Sequence, residues 1–430
     1  MAVFLNGKSI ERNSMKIQKL ISYCTIFPPL FSLLFAVDQL HAKDLDSPIG
    51  TNPKISPPNA KDSKVKVSTS IGWPRGKSPV APAGFQVEVY AKDLAHPRWI
   101  YVLPNGDILV SEATGKSDSA NQIEIFRGSN SDGTASLRKV FLKGLNQPFG
   151  MLLLNGWLYV ANTDSIVRYR YEEGQTSIKT EGEKILDLPV NGHWTRNIIS
   201  NPEGTKIYVA IGSLSNDAES GMKVENRRAC IIEMNPDGSG EKIFATGLRN
   251  PVGLSFYPGS HQLWTVVNER DGLGDTVPPD YLAHVEETHF YGWPYSYWGN
   301  HEDPTHKNER PDLVKKAITP DFALGAHTAA LGLEFYQGKT FPEKYRGGAF
   351  IGRHGSWNSS IFQGYDVYFV PFENGKPVGQ GEPFLTGFIA DSSKNEVYGR
   401  PVGVKQLPDG SLLMSDDSGG ILWHVFYKKP

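Results

Sequence analysis

The chain has 430 residues, of which 39% are hydrophobic, 11% aromatic and 21% charged, a globular composition that argues against a disordered or fibrous protein. A formal charge of −2 without any dense basic cluster argues against a nucleic-acid footprint or an anionic-membrane surface, so a neutral or weakly polar substrate fits better. Gly at 44 and Pro at 30, with no collagen-like period, point to many turns and hence many short strands.

Lys16 and Lys19 precede an apolar run from Leu20 to Val37, broken by Ser22, Tyr23, Thr25, two prolines and Ser32. Leu40-His41-Ala42 then offers a cleavage point. This is a secretory signal over residues 1–42, best formed if the true start is Met15. The broken run argues against a retained membrane span, so the expected location is periplasmic or extracellular. Cys24 falls in that segment, which leaves Cys230 alone and allows no internal disulfide. Within Ala229-Cys230-Ile231-Ile232 it reads as buried filler rather than a nucleophile. Residues 43–80, rich in Pro, Lys, Ser and Asp, read as a disordered leader or a strap lying on the domain.

From Phe85 onward short apolar runs alternate with Gly, Pro, Asn and Asp turns, and no long helical period appears. A turn with Gly followed by a hydrophobic strand occurs six times. Asn105-Gly106 leads into Ile108-Leu109-Val110, and Asn155-Gly156 into Trp157-Leu158-Tyr159-Val160. Glu203-Gly204 leads into Ile207-Tyr208-Val209, and Pro258-Gly259 into Leu263-Trp264-Thr265-Val266. Gly347-Gly348 leads into Ala349-Phe350-Ile351, and Asp409-Gly410 into Leu412-Leu413-Met414. Such a repeat predicts an all-β, six-bladed β-propeller of four-stranded antiparallel blades over residues 81–430. Ile421 to Tyr427 and Phe85 to Tyr90 are expected to complete one shared blade, which removes the open sheet edge. The widest gap between repeats, Asp271–Leu324, reads as an insert rich in Trp, Tyr, Pro and His, where binding tends to live.

Polar clusters fall at equivalent places around the repeat. They are Gly192-His193-Trp194-Thr195-Arg196-Asn197, Gly247-Leu248-Arg249-Asn250-Pro251-Val252-Gly253, Asn268-Glu269-Arg270-Asp271-Gly272-Leu273-Gly274-Asp275, Arg353-His354-Gly355-Ser356-Trp357-Asn358 and Gly399-Arg400-Pro401-Val402-Gly403. Strand ends in a propeller converge on its axis, so Arg249, Arg353 and Arg400 would meet there. Gathered guanidinium groups call for an anionic ligand with several carboxylates, or for a matching set of Asp and Glu.

Together with Tyr291-Gly292-Trp293-Pro294, these clusters resemble the soluble pyrroloquinoline-quinone-dependent glucose/sorbosone dehydrogenases, and the sorbosone branch most. The resemblance covers roughly residues 85–428. It implies that His193 is the general base that takes the sugar hydroxyl proton while hydride moves to the quinone. It implies that Arg249 polarises the quinone oxygen, that Asn250 contacts the cofactor and that Arg400 faces its carboxylates. By the same resemblance Gln147 lies near the substrate side, and Arg353 or His354 supplies a further cationic contact. The 268–275 loop matches the calcium-binding stretch, with Glu269, Asp271 and Asp275 as hard oxygen donors for Ca²⁺.

Two positions depart from the pattern. Ser359 stands where a basic residue is usual, which puts a cation near the cofactor in doubt, and His424 stands where an Arg is common. The aromatic group Tyr291, Trp293, Tyr295, Tyr297 and Trp298 reads equally as blade packing or as a sugar platform. His284, His289, His301 and His306 fit no compact zinc spacing and read as loop residues. The expected partners are a small sugar or aldehyde and an unidentified electron acceptor. Two other functions use the same scaffold: a calcium-dependent, lactonase-like hydrolase built on the 268–275 loop, and a non-catalytic propeller that binds a glycan or protein.

Overall fold

The computed structural model describes residues 47–428, so the signal segment read over residues 1–42 lies outside the described residues. The chain divides into two units, Met1–Lys43 and Asp44–Pro430, and every described residue belongs to the second. No helix among the described residues is long and apolar enough to cross a membrane.

The second unit is a β-propeller. Its six largest sheets are antiparallel meanders. Each begins with an innermost strand: Pro97–Val102, Met151–Leu154, Arg196–Ser200, Asn250–Phe256, Glu334–Phe335 and Pro401–Gln406. Each innermost strand touches that of the next sheet, and the sixth touches the first. The second strands are Ile108–Glu112, Trp157–Ala161, Ile207–Ile211, Leu263–Asn268, Ala349–Arg353 and Leu412–Asp416. These are the six repeats read from the sequence. Four of them are buried at every position, because both faces are covered by neighbouring sheets. Outer strands such as Glu183–Asp187 are exposed or half-buried along their length.

The sixth sheet takes its outermost strand from the start of the domain. Phe85–Ala91 pairs with Ile421–Tyr427, with Phe85 opposite Tyr427. The join is packed by Phe85 against Phe341, Phe384 and Tyr427 at centroid separations of 4.7, 5.0 and 5.0 Å. The repeated Pro-x-Gly at the start of an innermost strand also has a packing cause. A Cβ on Gly150 would lie 2.7 Å from Ile198 N, on Gly253 2.9 Å from Leu331 O, and on Gly403 2.7 Å from Arg98 O. Only glycine lets one innermost strand lie this close to the next.

Residues 47–80 run along the sheets. Ile49–Gly50 adds a strand to the fourth sheet beside Phe322–Ala326, and Thr69–Ser70 pairs in parallel with Glu396–Val397. Between them Asn59 N–H donates to Leu273 O at 2.7 Å and Lys66 N–H to Trp357 O at 2.8 Å. The segment 271–324 is not a single inserted loop. Pro279–Val285 and Phe322–Ala326 are the third and fourth strands of the fourth sheet, and only the stretch between them leaves it. Its aromatic group is packed inside: Tyr291, Trp293, Tyr295, Tyr297 and Trp298 are all buried. Tyr291, Tyr297 and Trp298 pack into the core of the fourth sheet, while Trp293 and Tyr295 line a second cavity of about 770 Å³.

Candidate functional site

One end of the propeller holds a cavity of about 510 Å³. Its walls come from two kinds of position, the entry to an innermost strand and the exit from a second strand, which antiparallel pairing brings to the same end. Entries supply His96 and Arg98, His193 to Thr195, Arg249 and Asn250, and Arg400. Exits supply Thr114 to Lys116, Asn268, Glu269 and Asp271, His354 and Asp417. Asp280 and His327, from the inner end of the fourth sheet, complete the acidic side.

His193 is half-buried in the wall. Its Nδ1 lies 2.9 Å from Ser213 O, and its Nε2 has no partner among the described residues. Burial, reinforced by the charge of Arg249, pushes its pKa down to about 3, so the imidazole is neutral across the physiological range. Arg249 spends its fork on uncharged oxygens. Nε donates to Asn216 O at 2.9 Å, Nη1 to Glu269 O at 2.8 Å and Nη2 to Asn216 Oδ1 at 2.9 Å. Its nearest carboxylate, Asp271, is 3.8 Å away. Arg400 donates from Nε to His354 O at 3.0 Å and from Nη2 to Gly355 O at 2.7 Å. Its Nη1 has no partner among the described residues.

Across from Arg249 the acids are buried. Glu269 is 5% exposed, its Oε2 accepts from Arg270 N–H, and its Oε1 has no partner among the described residues. Burial outweighs Arg249 and pushes the Glu269 carboxyl up to about 7. Asp280, also raised by burial, accepts from Glu269 N–H at 2.9 Å and from Ala329 N–H at 2.7 Å. On the other wall Asp417 is paired with Arg98 and lies 2.9 Å from His354 Nε2. Burial opposes its charge, but His354, Arg98 and Arg400 hold it well below the usual carboxylate range. His354 in turn is pushed down to about 4 by burial and by Arg400.

The TrAA12-like family profile matches residues 79–309 and 301–428. The chain belongs to that family. A curated protein of Borreliella burgdorferi, described there as uncharacterized, is 32% identical over 81% of this chain and 90% of its own length. Among solved structures, the calcium structure of Trichoderma reesei Carbohydrate-Active Enzymes Family AA12 is 20% identical with a TM-score of 0.70. It covers 81% of this chain and 97% of its own. The holo form of the pyranose dehydrogenase PQQ domain from Coprinopsis cinerea is also 20% identical with a TM-score of 0.70, over 84% of this chain and 100% of its own. These two likenesses concern the fold.

In this TrAA12-like chain the cavity brings together His193, Arg249, Asn250, His354, Arg400, Glu269 and Asp271. It does not bring in the other three. Arg353 forms a buried bidentate pair with Asp366, gives Nη1 to Leu324 O and lies 4.0 Å from the Tyr368 ring centroid. Strand alternation explains the error: Arg353 ends a strand and turns into the sheet, while His354 beside it turns to the axis. Gln147 is half-buried outside the cavity, held through its backbone N–H on Asn121 Oδ1 at 2.9 Å. Asp275 leaves the cavity with the turn at Gly272 and Gly274 and accepts from Ser360 N–H at 3.0 Å. The three proposed calcium acids therefore form no cage, and among the described residues no three His, Cys, Asp or Glu side chains are arranged to hold a metal ion.

Ser359 is fully buried and takes Gln363 Nε2 at 3.0 Å, away from the cavity of this TrAA12-like chain. His424 meets Ser411 Oγ at 2.8 Å in the sixth sheet. Cys230 is buried, and burial pushes its thiol up to about 12. Sequence reasoning missed Arg98, His327, Asp280 and Asp417. The signals were present for two of them. His96-Pro97-Arg98 sits at an innermost-strand entry like Arg400-Pro401, and Asp416-Asp417 at a second-strand exit like Asn268-Glu269.

Proposed function

We propose that the chain is a quinoprotein oxidoreductase that oxidises a small sugar, or a sugar-derived aldehyde or alcohol of glucose or sorbosone type, with pyrroloquinoline quinone as bound acceptor. One observation carries it. A single cavity joins a neutral histidine with an unengaged Nε2 to two arginines that have no carboxylate closer than 3.8 Å. The hydrolase reading leaves those arginines unexplained.

The residues present fit a planar tricarboxylate. Among the described residues Arg400 Nη1 has no partner, and Arg98 Nε is buried with none. Charge-assisted donors of this kind match carboxylates. Arg400 and Lys116 would hold carboxylates, while Arg249 and Asn250 would hold the quinone edge. Glu269 Oε1 and Asp271 are the hard oxygens the wall would offer a calcium ion, and the acidic side chains of the described residues do not by themselves complete its shell. When bound, the quinone supplies a two-electron acceptor for a hydride.

The chain's own part is proton handling and charge. His193 Nε2 would take the substrate hydroxyl proton, the step for which a neutral imidazole is suited. Arg249, fixed by four oxygens, would face the oxygen where negative charge grows, and because it is already oriented no reorganisation is needed. In the same reading the protein is exported through residues 1–42 and passes its electrons to an external acceptor.

The test is reconstitution. Purified protein is mixed with calcium and pyrroloquinoline quinone, and dye reduction is followed with glucose, sorbosone and simple aldehydes. Saturable quinone binding and sugar-dependent reduction are expected. Failure of the quinone to bind would end this proposal, and lactone hydrolysis requiring calcium alone would replace it with the hydrolase.

A further inference from the structure

The base needs one nitrogen free of its proton, and Ser213 is arranged to decide which. Ser213 is fully buried and follows the second strand of the third sheet. Its carbonyl lies 2.9 Å from His193 Nδ1, and its hydroxyl oxygen lies 3.1 Å from the same atom. A carbonyl can only accept. The hydroxyl proton is already directed at Ser215 O, 2.6 Å away, so Oγ also shows His193 a lone pair. Two acceptors on one ring nitrogen require that nitrogen to carry the proton.

The surroundings fix this arrangement. Ser213 O also accepts from His193 N–H at 3.1 Å, and Ser213 N–H donates to Arg249 O at 2.8 Å. The serine is thus tied to both the base and the arginine. Gly212 before it allows the approach: a Cβ there would lie 2.6 Å from His193 Cβ and 2.3 Å from Asn250 Oδ1. The charged groups that act on His193 are Arg249, Arg196 and Asp271, and none of them touches Nδ1.

We propose that Ser213 is the positioning residue for the base, holding His193 as the Nδ1–H tautomer so that Nε2 presents its lone pair to the substrate hydroxyl. This rests on the reading of His193 as the base. An uncharged partner has a consequence. A carboxylate behind Nδ1 would favour the protonated ring strongly, whereas the uncharged Ser213 carbonyl raises the His193 pKa by less than burial and Arg249 lower it. The base is therefore kept weak and free of its proton in acid, in line with the depressed pKa of His193.

Two measurements test it. The first uses the unliganded full chain with ¹⁵N-labelled histidine and reads long-range ¹H–¹⁵N correlations. His193 is expected to show a protonated Nδ1 and a bare Nε2, unchanged from pH 8 down to pH 5. A protonated Nε2, an average of the two tautomers, or titration near the ordinary value of 6.5 would overturn the proposal. This needs no quinone, so it stands apart from the dye assay that judges the function. The second uses Ser213→Asp in the loaded enzyme. The acid limb of its kcat profile is expected to move up by at least one pH unit, with KM for sugar within about twofold, since a shift of one unit corresponds to about 1.4 kcal/mol between protonation states. A folded variant with an unmoved acid limb would show that Ser213 does not set the base. Should the variant fail to fold, the first measurement still decides the tautomer.

Discussion

Trp73 and Arg400 are held by opposite oxygens of one buried carboxyl group, that of Asp416. The Trp73 indole N–H donates to Oδ2 at 2.6 Å, and the Arg400 backbone N–H donates to Oδ1 at 2.7 Å. The segment that precedes the first blade strand is thereby fastened to a cation of the cavity. Trp73 also packs within 5.1 Å of Trp423 and 5.4 Å of Phe388.

Trp73→Phe tests that fastening. It keeps most of the packed ring and removes only the donor. An unmade bond to a buried carboxyl costs about 1–3 kcal/mol, which urea unfolding should read. Quinone affinity is expected to fall with it, because Arg400 loses a fixed origin, while KM for sugar stays. A variant with lowered stability and unchanged quinone affinity would show that the segment does not support Arg400.

Arg353 and Arg400 should separate structure from binding. Arg353→Gln leaves Asp366 buried without its partner, which costs about 3–5 kcal/mol. Quinone affinity of the folded fraction is expected to be unchanged, since Arg353 does not line the cavity. Arg400 gives its bonds to carbonyls, so Arg400→Gln should cost less than about 2 kcal/mol. It should nonetheless weaken quinone binding tenfold or more. Thermal unfolding and quinone titration on the two variants would read the contrast, and equal effects on both would contradict it.

Ser359→Lys restores the basic residue that the sorbosone-like pattern carries. Ser359 is fully buried and its hydroxyl oxygen holds the loop through Gln363 and Ile361. The acid of that loop, Asp275, is already taken by Ser360, and a lysine overfills a fully buried serine site, so the variant is expected to lose about 1–3 kcal/mol or more. Tighter quinone binding in this variant would show that the missing cation matters to the cavity after all.

Much of the architecture was legible in the chain, because each second strand announces itself with a turn and an apolar run. The glycines of Pro251-Val252-Gly253 and Pro401-Val402-Gly403 have a reason that only the fold shows, the contact between neighbouring innermost strands that a Cβ would forbid. The third and fourth strands of the fourth sheet were hidden among the aromatics of 271–324, whose burial a sequence does not show. The cavity was half legible. His193, Arg249 and Arg400 lie in extended motifs. Arg98 and Asp417 form a pair across 319 positions, and no local spacing connects them. Arg353 was misjudged by one residue, the smallest step that reverses a side chain's direction on a strand.

Glu269, Asp416, His193 and His354 make opposing contributions to the pH dependence of the unliganded protein's stability. Glu269 and Asp416 are both pushed up to about 7, mainly by burial. Each keeps, in the folded protein, a proton that the unfolded chain has lost above 4.5 and 3.8 respectively. Both therefore lower stability as pH rises toward 7. His193 and His354, pushed down to about 3 and about 4, refuse a proton that the unfolded chain binds below 6.5. Both therefore lower stability as pH falls. Between pH 4.5 and 6.5 two groups act each way, and their joint contribution is flat. His193→Gln removes one acid-side cost and leaves both carboxyls. Relative to the parent protein its stability is expected to rise as pH falls through that window, by about 1.4 kcal/mol per pH unit. Urea unfolding of both proteins at half-unit intervals would show the difference in slope. Parallel curves would mean that His193 takes up its proton in the folded protein as readily as in the unfolded chain, and that its neutral state is not imposed by the cavity.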